Sequence, residues 1–185
     1  MGSGRSSQSN ERRVGQDDLQ TETTASGCLL PKENIPFKVG SAGKSMIFNE
    51  IRIVKTDGTL AKTGELGEIQ IRGATVTPGY WNNKNANETS FDGDWFKTGD
   101  IGIMNENGFT KIIDRKKDMI IVSGFNVYPN EIEEIAMMND KVFEAGCIGI
   151  KDEQGNEKIK LFISKTPNAN IDSEEIIDHC KKYLT

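Results

Sequence analysis

Asp114-Arg-Lys-Lys-Asp-Met-Ile-Ile-Val-Ser-Gly-Phe-Asn-Val-Tyr-Pro-Asn-Glu-Ile-Glu-Glu134 changes character three times in twenty-one residues. It opens on a charged cluster, passes through an apolar run to a Ser-Gly turn, and closes on a helix start. Pro129-Asn130 before Glu131-Ile-Glu-Glu-Ile135 predicts that Asn130 caps the helix with Glu133 reaching back, Ile132, Ile135 and Met138 or Asn139 marking the inner face. Immediately upstream, Ile101-Gly-Ile-Met104 and Phe109-Thr-Lys-Ile-Ile113 flank Asn105-Glu-Asn-Gly108, and an Asn-Gly pair between apolar runs is a hairpin signal. Downstream, residues 142–150 and 159–164 read as strands around the turn Glu153-Gln-Gly-Asn156. Asp172 or Ser173 then caps a last helix carrying Ile176, Ile177, Cys180 and Leu184. Residues 115–185 thus form a small α+β unit.

Nearer the start the pattern is strand-rich. Ile51-Arg-Ile-Val54 and Glu68-Ile-Gln-Ile-Arg72 alternate apolar and polar residues, and Thr56-Asp-Gly-Thr59 supplies a turn, so antiparallel sheet is expected from Phe37 onward. Residues 1–18 are Gly, Ser, Arg, Asn and Gln with hardly an apolar side chain. They bury too little surface to offset the entropy of ordering and are expected to be disordered.

Composition narrows the class. The 185 residues carry a net charge of -5, which argues against a nucleic-acid partner, because polyanion binding needs many Lys and Arg. No apolar run approaches the roughly 20 residues that span a bilayer. Peripheral membrane contact stays open. Cys28, Cys147 and Cys180 are far apart and odd in number, fitting neither a disulfide framework nor a zinc site. A reducing cytosol is the simplest compartment. His179, with no Ser or Cys constellation around it, is expected at the surface of its helix.

Three short segments offer chemistry, each with a plainer reading beside it. Thr98-Gly-Asp100, expected just before a strand, could hold a ribose diol on the Asp carboxylate or be a turn in which Asp caps its own backbone. Arg115-Lys-Lys117 offers planar donors for a nucleotide, or is a solvated basic turn. Ser123-Gly124 lets another chain pass close to the backbone, or is a simple turn.

The order Gly79-Tyr-Trp-Asn-Asn83, Asp94-Trp95, Thr98-Gly-Asp100 and Asp114 to Glu134 resembles the adenylate-forming enzymes, and within them the acyl-CoA synthetases, across residues 37 to about 165. The resemblance implies a distorted antiparallel β-barrel-like subdomain, residues 19–113, ending a large AMP-binding domain. A small mobile α+β domain, 114–185, would follow. It also implies ATP-dependent activation of a carboxylic acid, fatty or aryl, as acyl-adenylate, followed by transfer to CoA. In that family the residue matching Asp100 holds the adenosine ribose, the one matching Arg115 approaches it, and Asp114 matches the hinge. Ser123-Gly124 matches the path of the CoA pantetheine arm. Gln20-Thr-Glu-Thr-Thr24 resembles the family segment in which Glu ligates Mg²⁺ and Thr faces phosphate, making Thr21 and Glu22 candidates, although Asp18-Leu19 stand where the family has Tyr-Gly. A polar, unstructured Thr/Glu stretch is the other reading.

The family's phosphate loop with its Lys, and the Lys of its C-terminal segment, are not in the sequence. The isolated chain is therefore expected to be close to inactive and to lack its N-terminal domain partner. A peptide-synthetase adenylation fragment is the runner-up, set back because Lys117-Asp-Met-Ile-Ile-Val-Ser-Gly124 replaces the usual Lys-Ile-Arg-Gly. A non-catalytic remnant binding nucleotide or CoA is the third reading. Cutting the strand-rich part from its parent domain is expected to expose apolar surface and cause self-association there.

Overall fold

The computed structural model describes residues 21–24, 27–30 and 40–184. The segment expected to be disordered, 1–18, and the expected onset of sheet at Phe37 lie outside them. The chain divides into two compact units, one ending at Ile112 and the other beginning at Ile113. Both are built from antiparallel strands with short helices, so the fold is α+β.

The first unit is organised by a five-stranded sheet. Its strands are β3 (Asn49–Val54), β4 (Gly67–Gly73), β5 (Phe91–Asp92), β6 (Trp95–Met104) and β7 (Thr110–Arg115), β7 continuing past Ile112. The order is β3-β4-β6-β5, with β7 also on β6, and among the described residues the sheet does not close into a barrel. A short pair, β1 (Cys28–Leu29) with β2 (Lys44–Ser45), precedes it, and one turn of 3₁₀ helix covers Thr21–Thr23. Alternation in β3 and β4 does what period-two patterning requires: Ile53, Ile69 and Ile71 are buried together, with Ile51, Val76, Met104 and Ile112 against them. On the polar side Arg52 donates to Gln70 Oε1 and to Asp92, and Trp95 takes the Arg52 and Arg72 guanidiniums at 4.4 and 4.5 Å from its ring centre. Helix α1 (Lys84–Ser90), which the sequence reading did not anticipate, is capped by Asn83 accepting from Ala86 N.

The second unit packs two helices on a two-stranded sheet. Strands β8 (Ile120–Val122) and β9 (Phe125–Val127) form a hairpin whose two turn residues, Ser123 and Gly124, have φ of 51° and 85°. Positive φ at both central positions is what a tight hairpin of this twist demands. Helix α2 (Pro129–Met137), strands β10 (Val142–Lys151) and β11 (Glu157–Lys165), and helix α3 (Ser173–Lys181) complete the unit. Ala136, Val142, Ile171, Ile176 and Cys180 form its core.

Three local expectations change. Tyr128, not Asn130, stands at the N-cap of α2 and makes no side-chain cap, while Glu133 accepts from Cys147 N at 2.7 Å instead of reaching back. The helix therefore begins two residues early, with Pro129 supplying the fixed φ of its first position. Its inner face runs through Ile132, Ile135 and Ala136, and of the two alternatives at its far end Met138 is 58% exposed while Asn139 is half-buried. His179 is half-buried: Nε2 lies 2.9 Å from Ile135 O and the ring meets Tyr183. Asp172 caps α3 as expected, accepting from Glu175 N.

Two measurements probe this packing. A Cβ on Gly102 would lie 2.5 Å from the Lys111 carbonyl oxygen, so Gly102→Ala should destabilise the sheet by roughly 1–3 kcal/mol in urea unfolding. Burial, aided by Glu133 and Asp114, pushes the Cys147 thiol from 9.0 up to about 11. The native state thus holds a proton that the unfolded chain releases. The stability this contributes is complete below pH 9 and lost as pH rises through about 11, and Cys147→Ala should flatten that part of the pH profile.

Candidate functional site

The Thr98-Gly-Asp100 segment lies inside β6 rather than before it. Gln70 of β4 pairs with Lys97 and Glu68 with Ile101, so three residues of β6 span the place of one residue, Ile69. This is a bulge, a device that re-aims side chains and interrupts the ladder. Gly99 takes φ 74° within it. The Thr98 hydroxyl resolves the backbone left over, donating to Ile69 O at 2.9 Å and accepting from Asp100 N at 3.0 Å. The Thr98 hydroxyl thus caps the Asp100 N–H within the bulge. Asp100 is 3% exposed on the strand beside it.

Thr21 and Glu22 fall in the 3₁₀ turn and are tied into the first unit. Glu22 O accepts from Thr77 N at 2.7 Å, its Oε1 accepts from the Tyr80 hydroxyl at 2.9 Å, and the Thr24 hydroxyl donates to Thr75 O at 2.8 Å. Two segments far apart in sequence, Thr21–Thr24 and Thr75–Tyr80, are thus joined. Tyr80 is in turn held by Asn87 of α1, whose Oδ1 accepts its N–H at 2.6 Å. Burial first, then the bond to Glu22, raises the Tyr80 phenol above its ordinary value, so it stays a donor. Nothing in the local sequence gives Tyr80 a role. Its hydroxyl sits beside a carboxylate only once the chain has folded.

Asp114 is a buried residue near the end of β7. Its Oδ1 accepts from Arg115 N at 2.7 Å and its Oδ2 from Asn130 N at 2.9 Å, while the Asn130 side chain donates to Ile113 O at 3.3 Å. A carboxylate from outside the helix thereby takes a first-turn N–H that Tyr128 leaves without a side-chain cap, where negative charge is favoured. Arg115 follows at the strand's exposed last position, and Ser123 and Gly124 form the exposed tip of the β8–β9 hairpin. A Cβ at Gly124 would have no atom within 4 Å. Thr21, Glu22 and Asp100 belong to the first unit; Asp114, Arg115, Ser123 and Gly124 belong to the second. Among the described residues no cluster of three or more His, Cys, Asp and Glu could hold a metal ion, and no helix is long and apolar enough to cross a membrane.

The profile of the AMP-binding enzymes matches residues 20–81. A long-chain-fatty-acid–CoA ligase of Yersinia pestis is 44% identical over 146 residues, covering 79% of this chain and 26% of that enzyme. The o-succinylbenzoate CoA synthetase of Bacillus subtilis, solved with its acyl-adenylate intermediate, superposes with a TM-score of 0.77 at 36% identity, over 89% of this chain and 34% of that one. The same enzyme in complex with ATP and magnesium gives a TM-score of 0.76, again at 36% identity and over 89% of this chain and 34% of that one. The chain spans about a quarter to a third of the length of these relatives.

Asp114→Ala leaves the Asn130 N–H without its acceptor and should destabilise the second unit by roughly 1–3 kcal/mol. Hydrogen exchange is expected to rise first at the start of α2, while the first unit keeps its protection.

Proposed function

We propose, from the premise that the chain belongs over the matched stretch to the adenylate-forming AMP-binding enzymes, that it is the C-terminal part of an ATP-dependent acyl-CoA synthetase. Such an enzyme joins a carboxylic acid, here a fatty acid, to AMP and passes the acyl group to CoA. The observation that carries this reading is Asp100, a carboxylate buried in a bulge whose backbone is satisfied by Thr98. A buried carboxylate at a break in a strand ladder is a candidate for ligand recognition. A ribose diol supplies two hydroxyl donors to one carboxylate.

Each remaining residue takes a role that its setting supports. Arg115, at the exposed end of β7, offers a planar fork of donors to the nucleotide. Glu22, steadied by Tyr80, would offer a carboxylate oxygen to Mg²⁺. Thr21 begins the same turn and would face those phosphates. ATP brings the leaving pyrophosphate and Mg²⁺ the charge neutralisation. The residues of this chain hold the sugar and orient the phosphates.

Asp114 stands two residues past the division between the units, and it is the hinge in this reading. Its carboxylate is bonded to N–H groups of the second unit, so that unit can turn as a body about the backbone before it. The Ser123–Gly124 tip, open on its outer side, gives the pantetheine arm of CoA a place to pass. The relatives named above are CoA ligases, which favours thioester formation over the peptide-synthetase alternative.

Two experiments test this. Calorimetric titration with AMP should show binding that Asp100→Ala weakens roughly 10- to 100-fold, the loss expected of charge-assisted hydrogen bonds; equal binding by both would remove Asp100 from the site. ATP–pyrophosphate exchange with Mg²⁺ and short, long and aromatic acids should be silent for these 185 residues alone. Exchange at the rate of an intact synthetase would overturn the reading of the chain as part of one.

A further inference from the structure

The β8–β9 hairpin has only three residues in each strand, too few to hold a position by itself. One face of it is packed: Ile120 is buried with Ile132 of α2 and Cys147 of β10, and Val122, Val127 and Leu161 close around them. Gly149 of β10 allows this approach, since a Cβ there would lie 3.2 Å from two carbons of Ile120. Such packing sets how near the hairpin lies to β10. It does not stop the hairpin sliding, because apolar contacts are non-directional.

A single polar contact supplies the direction. Ser123 and Gly124 make a two-residue turn, so Val122 and Phe125 close the ladder and the next pair, Ile121 and Asn126, turns its N–H groups outward. Strand β8 lies beside β11, yet among the described residues no ladder joins the two. The Ile121 N–H is met by a side chain: Glu157 Oε2, from the first residue of β11, accepts it at 2.6 Å. A carboxylate thus stands where the carbonyl of a third strand would, and an ionised acceptor makes the stronger bond. The base of Glu157 is itself fixed. It faces Lys151 across the β10–β11 ladder, and the turn before it is closed by Asp152, whose Oδ1 accepts from Gln154 N at 3.0 Å and from Asn156 N at 2.9 Å.

We propose that Glu157 is a positioning residue for thioester formation: through the Ile121 N–H it sets where the Ser123–Gly124 tip, two residues further on, stands for the pantetheine arm of CoA. This rests on the assignment of that tip to CoA in the proposed function, whereas the anchor itself does not. Ser123 is exposed and a Cβ at Gly124 would meet no atom within 4 Å, so the tip inherits its place from the strands behind it. A hairpin freed from Glu157 spends less of its time in the binding position, and apparent affinity for CoA falls by the same fraction.

Amide exchange followed by NMR and calorimetric titration with CoA, both on the 185-residue chain, test this, with urea unfolding to compare global stability. Glu157→Ala should speed exchange at Ile121 roughly tenfold, the loss of one charge-assisted bond, and weaken CoA binding by about the same factor, with the unfolding midpoint little changed. Glu157→Gln keeps an acceptor oxygen at the same reach and should restore most of both. Exchange at Ile121 that ignores Glu157→Ala overturns the anchor, and exchange that rises across the whole second unit marks a general loss of stability and overturns the positioning role. So does faster exchange at Ile121 with unaltered CoA affinity, or a Glu157→Gln variant that protects Ile121 but loses CoA as Glu157→Ala does, since the carboxylate would then act on the ligand directly. A wild-type chain that binds no CoA, with Ile121 exchange still set by Glu157, overturns the assignment of the tip to CoA and this role with it.

Discussion

The carboxylate of Asp114 connects a strand end to a helix start. A helix leaves its first N–H groups without internal partners, and Tyr128 at the N-cap of α2 has no suitable acceptor on its side chain. Asp114 supplies one from β7, sixteen residues earlier, and takes the Arg115 N–H with its other oxygen. The direction in which α2 leaves the hairpin is fixed by that bridge. The position of α2 then sets what the second unit can bury: Ile132 against Ile120 and Cys147, and Ala136 against Ile171 and Ile176. Glu133, released from any capping duty, instead ties α2 to β10 through the Cys147 N–H.

The first unit depends on a different constraint, the mismatch between β4 and β6. Extra residues in a ladder leave backbone groups to be satisfied, and the Thr98 hydroxyl, acting as donor and acceptor together, does this at one point. Asp100 occupies a buried position beside it. The 3₁₀ turn at Thr21–Thr23 has a parallel arrangement, in which the main chain is anchored by Thr77 and the Glu22 carboxylate by Tyr80. In the first place a hydroxyl satisfies the backbone beside a carboxylate, and in the second a hydroxyl bonds the carboxylate itself.

The strands and helices that repeat a clear period were legible from the chain alone. Residues 101–113 folded as the hairpin that Asn-Gly announces, and 142–151 with 157–165 as the pair that Glu153-Gln-Gly-Asn156 divides. The cap of α2 was misjudged for a physical reason: local rules assume that a helix end is satisfied by its neighbours, and here the acceptor comes from a distant strand. His179 was expected at the surface because only its own helix was considered, whereas the Ile135 carbonyl reaches it from α2. Helix α1 was not anticipated because Lys84-Asn-Ala-Asn-Glu-Thr-Ser90 has no apolar face; Asn83 and Asn87 hold it by polar contacts.

By itself the sequence determined the α+β class, the order of the strands and helices that carry a clear period, and the motifs that resemble adenylate-forming enzymes, because periodicity, turn chemistry and motif spacing are properties of neighbouring residues. Only the tertiary structure decided that Thr98-Gly-Asp100 is a bulge, that Glu22 meets Tyr80 and that Asp114 caps α2. Each of these depends on atoms brought together across tens of residues, and such meetings are fixed by packing and by the need to pair every buried polar group, which no local pattern encodes.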